Sequence, residues 1–600
     1  RSLCDWSSDV CSSDLVPNRL PRSRFRFISI FGFSCCKVFI FAGKRRRFLF
    51  KKCRDFGKPP LVPLESAPNR NPTAAAKPRV PVSGSILNIP WPVLAKFLVP
   101  GSYIMVILRS EQDRNPDGRA SVRDRPRPTR TTRKLTKLQD MNNRTILTGL
   151  LGAGTVASAT AQAPAKAKAQ TPQGRPNIVI IYTDDMGIGD LSCTNTGWIE
   201  TPSIDRLASQ GLVLNSYYSS APVSSPSRVG LTTGMFPMEW GINTYLQTRK
   251  GNAACEQADY LAAEAPSMAR ILRDATGHFG KWHMGGGRDV KDAPSIPSFG
   301  FDEYCSTWES PDPAPELTAT NWIWSDKDDV KRWNRTGYFV DKTLDFLVRH
   351  KDKPCFVNLW PDDMHTPWVP DEESQHKQKD WNSQPNFSEV LAEYDRQIGR
   401  FLTRLDQLGL SDNTIVIFTS DNGPAPSFRQ LRTNGMRGVK NSLYEGGIRM
   451  PFIIRWPGVI EAGKVDDRTV VCAVDLLPSL CKIAKARLPK GYRSSGEDMS
   501  RALLGKPAVR KGDLMWDFGR NEAFMFPRDK YHHSPSLAIR RGNWKLLVNP
   551  DGSNAQLYDI AADINETKNL AEENPALVRD LSKTVLAWWE RRPRIGAGKQ

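Results

Sequence analysis

Two continuous apolar runs of strand length, NIVIIYT at 177–183 and NTIVIFT at 413–419, each break off into acid: DDMG follows the first, SDNG the second. A run that is apolar at every residue, rather than at alternate ones, needs cover on both faces, as in a strand inside a parallel sheet flanked by helices. PCFVNLW at 354–360 is a third run of this kind. Amphipathic segments lie between them. In 387–408, Val390, Tyr394, Ile398, Phe401, Leu405 and Leu408 share a helical face, and Asn386 with Glu389 is expected to cap it. The alternation predicts a doubly wound α/β domain with a large, mainly parallel central sheet flanked by helices. From about residue 471 the texture changes. SLAIRRGNWKLLV and AQLYDI read as an antiparallel pair, and a last helix opens at Asn574–Pro575, turning Leu577, Leu581, Val585 and Trp588 inward. A smaller C-terminal α+β subdomain with an antiparallel sheet is expected there.

The chain has 600 residues, enough for more than one structural unit, and a formal charge of +20. That charge resembles a nucleic-acid binder's until it is divided along the chain. Residues 1–140 hold 28 Lys and Arg against 10 Asp and Glu, whereas 141–600 hold 56 against 54. The globular part is nearly neutral, so no nucleic-acid partner is expected. The first 140 residues lack helical or strand periodicity and read as translated non-native sequence without order. FISIFGFSCCKVFIFA within them is shorter than a bilayer span and interrupted by Lys37. Met141 then opens a positive residue, a short apolar stretch and small-residue cleavage sites. The expected organisation is a signal peptide at 141–163, a linker at 164–174, a catalytic domain at 175–470 and the C-terminal subdomain at 471–596. The mature chain is expected to be exported, periplasmic or extracellular in a bacterium, without stable insertion in a membrane. The six cysteines after residue 141 are widely spaced, with no zinc-ligand rhythm and no disulfide framework.

Ligands of open α/β sheets collect beyond the carboxyl ends of the strands. Asp184 and Asp185 stand at one such end, Asp421 and Asn422 at another. Either tip alone is ordinary cap or turn chemistry. If the two strands are neighbours, three carboxylates and an amide oxygen converge, and such all-oxygen donors select Ca²⁺ or Mg²⁺ over zinc. Histidine is scarce, yet GKWHMGG brings Lys281 and His283 to one side of an extended segment, and DMHTPW sets His365 just past the third run. Lys440 sits in MRGVKNSLYEGGIRMP, whose glycines mark a close-approach loop. In APVSSPSRVGLTTG three serines surround Pro226 with no histidine nearby to activate one. Pro226 suits a first helical turn, placing Ser224 near a helix N-terminus that favours an anion, with Arg228 about one turn on.

Taken together these motifs resemble the type I sulfatases of the alkaline-phosphatase-like superfamily. SSPSRVGLTTG matches the sulfatase signature with Ser224 in the reactive position, and the other motifs follow in the family's order over about residues 172–595. The resemblance implies an alkaline-phosphatase-like sandwich fold and a sulfuric ester hydrolase. It implies that a formylglycine-generating maturase oxidises Ser224 to Cα-formylglycine, whose hydrate is the nucleophile. Asp184, Asp185, Asp421, Asn422 and residue 224 would hold one Ca²⁺. Arg228 and Lys281 would hold formylglycine and sulfate, His283 would assist sulfate release, and His365 with Lys440 would bind sulfate and protonate the leaving oxygen. The chain departs from the family in ILRDATGHFGKWHMGG, which lacks about three residues before Thr276, on the strand expected to present Lys281 and His283.

Two other readings stand beside this one. A phosphate or phosphonate hydrolase of the same superfamily would use zinc, and Asn422 occupies a place where histidine would favour that metal. A secreted glycan-binding homologue with unmodified Ser224 would keep the fold without catalysis. Tryptophans in STWES, TNWIWSDKDD and RWNRTG offer rings for stacking on sugars, so a sulfated carbohydrate is the expected substrate.

Overall fold

The structure, a computed structural model, describes residues 174–595 apart from 196, 273, 321 and 521–525, together with the backbone of two antiparallel dipeptide strands, Ile30–Phe31 and Lys37–Val38. Those two dipeptides excepted, the segment expected to be non-native, the leader at 141–163 and the linker as far as residue 173 lie outside the described residues.

Eight strands build the central sheet: β1 (Asn177–Thr183), β2 (Leu212–Leu214), β3 (Ala275–Gly280), β4 (Glu303–Ser306), β5 (Cys355–Trp360), β6 (Thr414–Ser420), β7 (Phe452–Arg455) and β8 (Lys464–Asp466). Their spatial order is β8-β2-β7-β6-β1-β5-β3-β4. The five strands from β6 to β4 run parallel, while β7 is antiparallel to both its neighbours. The sheet is mainly parallel, as expected. Every residue of β1 is buried because its two faces meet different cores: Ile178, Ile180 and Tyr182 enter one, Val179 and Ile181 the other. Ile415 and Ile417 against Val416 and Phe418 repeat the division on β6.

Helices α1 (Pro202–Ser209), α2 (Ser224–Thr233), α3 (Arg335–Arg349) and α4 (Gln384–Gln407) belong to this part of the chain. The apolar stripe expected on α4 is buried from Val390 to Leu405, with Leu408 half-buried beyond its end. The cap differs from expectation. Ser383, not Asn386, caps the helix, its hydroxyl accepting the Asn386 N–H, while the Asn386 side chain is committed to backbone groups of Gln378 and Asp380.

A four-stranded antiparallel sheet closes the chain: β9 (Leu514–Asp517), β10 (Leu537–Arg541), β11 (Trp544–Val548) and β12 (Gln556–Asp559), in that order. The stretch after residue 471 does not pass straight into it. Val471–Cys472 pairs with Tyr217–Tyr218 in a small three-stranded sheet, and α5 (Leu476–Ile483) packs on α2. The last helix, α6 (Pro575–Trp589), buries Leu581, Val585 and Trp588 against β10 and β11. All six cysteines from Cys193 on are free thiols. No helix among the described residues is long and apolar enough to cross a membrane.

The C-terminal sheet is joined to the first part by a fully buried ion triad. Lys545 Nζ on β11 lies 2.9 Å from Glu445 Oε1 and 2.9 Å from Glu566 Oε1. Burial opposes ionisation of Glu445, but Lys545, Arg449 and Arg540 hold its carboxyl down at about 2. Burial pushes Glu566 up to about 7, against Lys545 and with the help of Glu445. Lys545→Met would leave two acids facing each other in the interior. It is expected to cost about 3–5 kcal/mol, read as a lower urea midpoint, whereas exposed Lys583→Met should stay within about 0.5 kcal/mol of wild type. Equal midpoints for the two variants would contradict the role of the triad.

Candidate active site

Four parallel strands carry the chemistry at their carboxyl ends. Asp184 and Asp185 follow Thr183 of β1, and Asp421 and Asn422 follow Ser420 of β6. Thr183 and Ser420 are register partners, so the two acidic tips lie side by side. Lys281 follows Gly280 of β3, and His365 lies just past β5. Gly280 permits the approach of β3 to β5: at φ +128° a Cβ would meet the Trp360 carbonyl oxygen at 1.9 Å. The shortened segment before Thr276 displaces nothing, since β3 pairs along its whole length with β5 and Lys281 Nζ reaches Asp184 Oδ2 at 2.8 Å.

Ser224 is the first residue of α2 and is almost wholly buried. Its Oγ lies 3.0 Å from Asp184 Oδ1 and 3.3 Å from Asn422 Oδ1. Asn422 Nδ2 donates to Asp185 Oδ1 at 2.6 Å, which turns the amide oxygen toward Ser224. The flanking serines have structural work: Ser225 Oγ accepts from Leu246 N, and Ser227 Oγ bonds the Asp421 carbonyl and the Tyr182 hydroxyl.

Asp184, Asp185 and Asp421 present carboxylate oxygens within 4.8 Å of one another, all buried. Basic groups surround them. Arg228 Nη2 reaches Asp421 Oδ2 at 2.6 Å and Asp184 Oδ1 at 3.2 Å, and Lys440 Nζ reaches Asp185 Oδ2 at 2.8 Å. Burial, Asp184 and Asp185 push the Asp421 carboxyl up to about 7 although Arg228 opposes them. Burial works against ionised Asp184 too, but Lys281, His365, Arg228 and Lys440 hold it well below the usual carboxylate range. The donors are all hard oxygens, the set that suits a Ca²⁺ or Mg²⁺ ion. Asp185 and His283 both adopt left-handed backbone, at φ 57° and 50°. Such conformations in non-glycine residues cost of order 1–3 kcal/mol and gather at functional sites.

In front of Ser224 opens a pocket walled by Lys281, His283, Glu309, His365 and Lys440. Arg228 is not in that wall. Its guanidinium sits behind Ser224, fully buried, over the rings of Tyr182 and Trp360, with Nη1 on the Lys281 carbonyl. Lys440 Nζ donates to His365 Nε2 at 3.0 Å, so that His365 Nδ1 carries the proton it shares with the Thr366 carbonyl at 2.6 Å. The glycines around Lys440 do bring backbone close: a Cβ on Gly447 would stand 2.0 Å from the Ser442 carbonyl oxygen. Burial, with Lys281 and Arg228, pushes His283 down to about 3 in spite of Glu309, so the ring is neutral and able to accept a proton.

Two pocket residues, Glu309 and Arg332, carry no sequence signal that singles them out, and a third comes from the tryptophan-rich segment. Glu309 lies 3.4 Å from His283 Nδ1 and 3.6 Å from Lys281 Nζ, and its basic neighbours hold it at about 2 against its burial. Arg332 pairs with Asp362 and donates to the His365 carbonyl at 3.0 Å, which fixes the loop after β5. Trp322 reaches the pocket, tilted against Trp308 at 5.6 Å, while Trp308 itself is buried. The tryptophan-rich segment thus serves both core and pocket.

A family model described as Sulfatase matches residues 176–486, and a second, N-sulphoglucosamine sulphohydrolase, C-terminal, matches 439–588. The chain is 29% identical over 491 residues to the N-acetylgalactosamine-6-O-sulfatase of Bacteroides thetaiotaomicron, covering 68% of this chain and 92% of that protein. It is 28% identical over 438 residues to human arylsulfatase A, covering 68% and 82%. Among solved structures, Ps i-CgsB in complex with k-i-k-neocarrahexaose aligns with a TM-score of 0.58 at 25% identity, over 70% of this chain and 94% of that one. A sulfatase from the glycosaminoglycan metabolism of Bacteroides thetaiotaomicron aligns with a TM-score of 0.56 at 28% identity, over 70% of this chain and all of that one. With acid tips, signature helix and basic pocket joined on one sheet edge, the chain belongs to the sulfatase family, as an arylsulfatase-like type I member and a sulfuric ester hydrolase.

Proposed function

We propose that the protein removes sulfate from a sulfated carbohydrate, with formylglycine made from Ser224 by a maturase and one Ca²⁺ held by Asp184, Asp185, Asp421, Asn422 and residue 224. The observation that carries this reading is the position of Ser224 Oγ, directed at Asp184 and Asn422 on the edge of an all-oxygen donor cluster. No histidine partner appears among those contacts, so serine itself lacks the base that a serine hydrolase needs. Asn422 supports calcium over zinc because a hard amide oxygen stands where zinc would prefer imidazole. A relative named for N-acetylgalactosamine-6-O-sulfate and a structural neighbour bound to a neocarrahexaose support a sugar. The reading places the enzyme outside the cytoplasm, periplasmic or extracellular.

The hydrated formylglycine would supply the attacking hydroxyl, and the calcium ion would stabilise charge on that hydroxyl and on a sulfate oxygen. The protein's own groups do the rest. Arg228, locked behind residue 224 by two carboxylates, orients that residue from the rear. Lys281 faces the pocket and meets a nonbridging sulfate oxygen. The three buried carboxylates are matched by Arg228, Lys281 and Lys440, so a divalent ion leaves an excess of positive charge for the anionic sulfate and the nucleophile. Cleavage of the S–O bond builds charge on the bridging oxygen, and the Lys440–His365 pair supplies the proton that neutralises it. Neutral His283, on the opposite wall, takes a proton when sulfate is released.

These roles have separable outcomes. A sugar alkoxide is a far poorer leaving group than a phenolate, so it needs the acid more. His365→Ala is expected to lower kcat on a sulfated sugar by about 10²–10⁴-fold and on an activated aryl sulfate by much less. Equal losses on both would remove His365 from the proton transfer. Asp421→Ala is expected to abolish the single equivalent of calcium measured by elemental analysis of the purified protein and to cut sulfate release by at least about 10²-fold. Undiminished calcium in that variant would refute the ligand set. Release of sulfate from a panel of sulfated oligosaccharides tests the substrate class, and activity confined to simple aryl sulfates would sink it.

A further inference from the structure

The opposite end of the sheet carries a second concave surface. A groove of about 1000 Å³ is walled by Arg175, Arg270, Lys485, Arg487, Arg493 and Trp240 among others. Its position is fixed by the topology: Arg175 precedes β1, Leu272 precedes β3, and Arg175 Nε donates to the carbonyl of Ala484, just past α5. It therefore lies at the amino ends of the strands whose carboxyl ends hold Asp184 and Lys281. Seven residues of β1 alone separate the two ends by more than about 20 Å. One sugar residue cannot occupy both.

The chemistry of the groove is lopsided. Lys482, Lys485, Arg487, Lys490 and Arg493 form an exposed run with no acid between them, in a globular region that is nearly neutral as a whole. None of the five takes an ion pair or a side-chain hydrogen bond among the described residues. Among the described residues Arg270 is bound to carbonyls alone, of Ala263, Ala265 and Ser298. Of the acids nearby, Glu264 lines the groove, Glu239 accepts from the Phe236 N–H and the Ser495 hydroxyl, and Asp274 is consumed by Arg175 at 2.8 Å. The wall also offers rings. Tyr492 is anchored by its hydroxyl on the Thr233 carbonyl, and Trp240 holds a buried Nε1 with no hydrogen-bond partner. Unpaired cations flanked by aromatic faces match a polymer that alternates anionic esters with sugar rings.

We propose that this groove is a second, non-catalytic site that holds a sulfated polysaccharide chain, an inference that rests on the carbohydrate-sulfate reading above. The groove would tether the polymer while a chain end enters the Ser224 pocket on the far side. Its contribution falls on polymeric substrates alone, because a small sulfate ester reaches the pocket without touching it.

Binding is measured on the full protein with Ser224 unmodified, so that the result does not depend on catalysis. The probes are dextran sulfate and unsulfated dextran at low ionic strength, and the variant is Lys485→Ala/Arg487→Ala/Arg493→Ala, all exposed positions. The triple variant is expected to bind dextran sulfate roughly tenfold more weakly. A control of equal charge loss on the C-terminal subdomain, Lys530→Ala/Arg579→Ala/Lys583→Ala, all exposed, is expected to bind as wild type does. In matured enzyme the groove variant should show a raised KM on the sulfated polymer and an unchanged rate on a simple aryl sulfate. Equal affinity of the two triple variants, equal binding of unsulfated dextran, or displacement of dextran sulfate by duplex DNA at matched charge would each overturn the proposal. If the groove variant loses polymer binding while no sugar sulfate is hydrolysed, the groove stands and the substrate reading fails.

Discussion

Three carboxylates forced together in a dry interior are the constraint around which this molecule is arranged. Their oxygens stand within 4.8 Å of one another. At the effective dielectric of a protein interior, each such pair repels by on the order of 3–4 kcal/mol, and burial adds to the strain. Burial first, then Asp184 and Asp185, raise the proton affinity of Asp421, while Lys281, His365, Arg228 and Lys440 hold the Asp184 carboxyl down against its own burial. No single element supplies those four side chains. Arg228 comes from α2, Lys281 from the end of β3, His365 from beyond β5 and Lys440 from a glycine-rich loop. The ionic cluster thus depends on the register of several strands at once.

That dependence explains features which look unrelated. Parallel pairing of β6, β1, β5 and β3 puts four strand ends on one edge, so residues scattered from 184 to 440 meet without long side chains reaching across the sheet. Gly280 lets β3 lie against Trp360, and Gly447 folds the Lys440 loop on itself. The buried Glu445, a few residues past Lys440, is gripped by Lys545 of the C-terminal sheet. The C-terminal subdomain therefore braces the loop that supplies one of the site's charges, at a distance from the chemistry.

Much of this was legible in the residues alone. Nearly continuous apolar runs marked β1, β5 and β6 because burial on both faces leaves little alternation to read, and acid placed at two run ends marked the cluster. The signature around Ser224 separated that serine from Ser225 and Ser227, whose hydroxyls are occupied by backbone or by Tyr182. Other features were beyond such reading. Glu309 is one acid in a tryptophan-rich loop, and only tertiary contact brings it to His283 and Lys281. Arg332 sits beside Arg335, and nothing in their spacing says which of them holds the His365 loop. Ser383 and Asn386 both fit a helix cap, and the choice was made by the loop at 378–380 that claims the asparagine. Spacing predicted Arg228 within reach of an anion at Ser224, yet the fold sets it behind Ser224 and outside the pocket wall.

The central claim is that Ser224 reacts as something other than serine, held by Asp184 and Asn422, with Arg228 behind it, at the mouth of a proposed cation site. Mass spectrometry of the peptide spanning Ser224, from protein produced with a formylglycine-generating maturase, tests it most directly. The account predicts a peptide lighter by two hydrogens at Ser224, in proportion to the sulfatase activity of the preparation. An intact serine in protein that hydrolyses sulfate esters at full rate would contradict it.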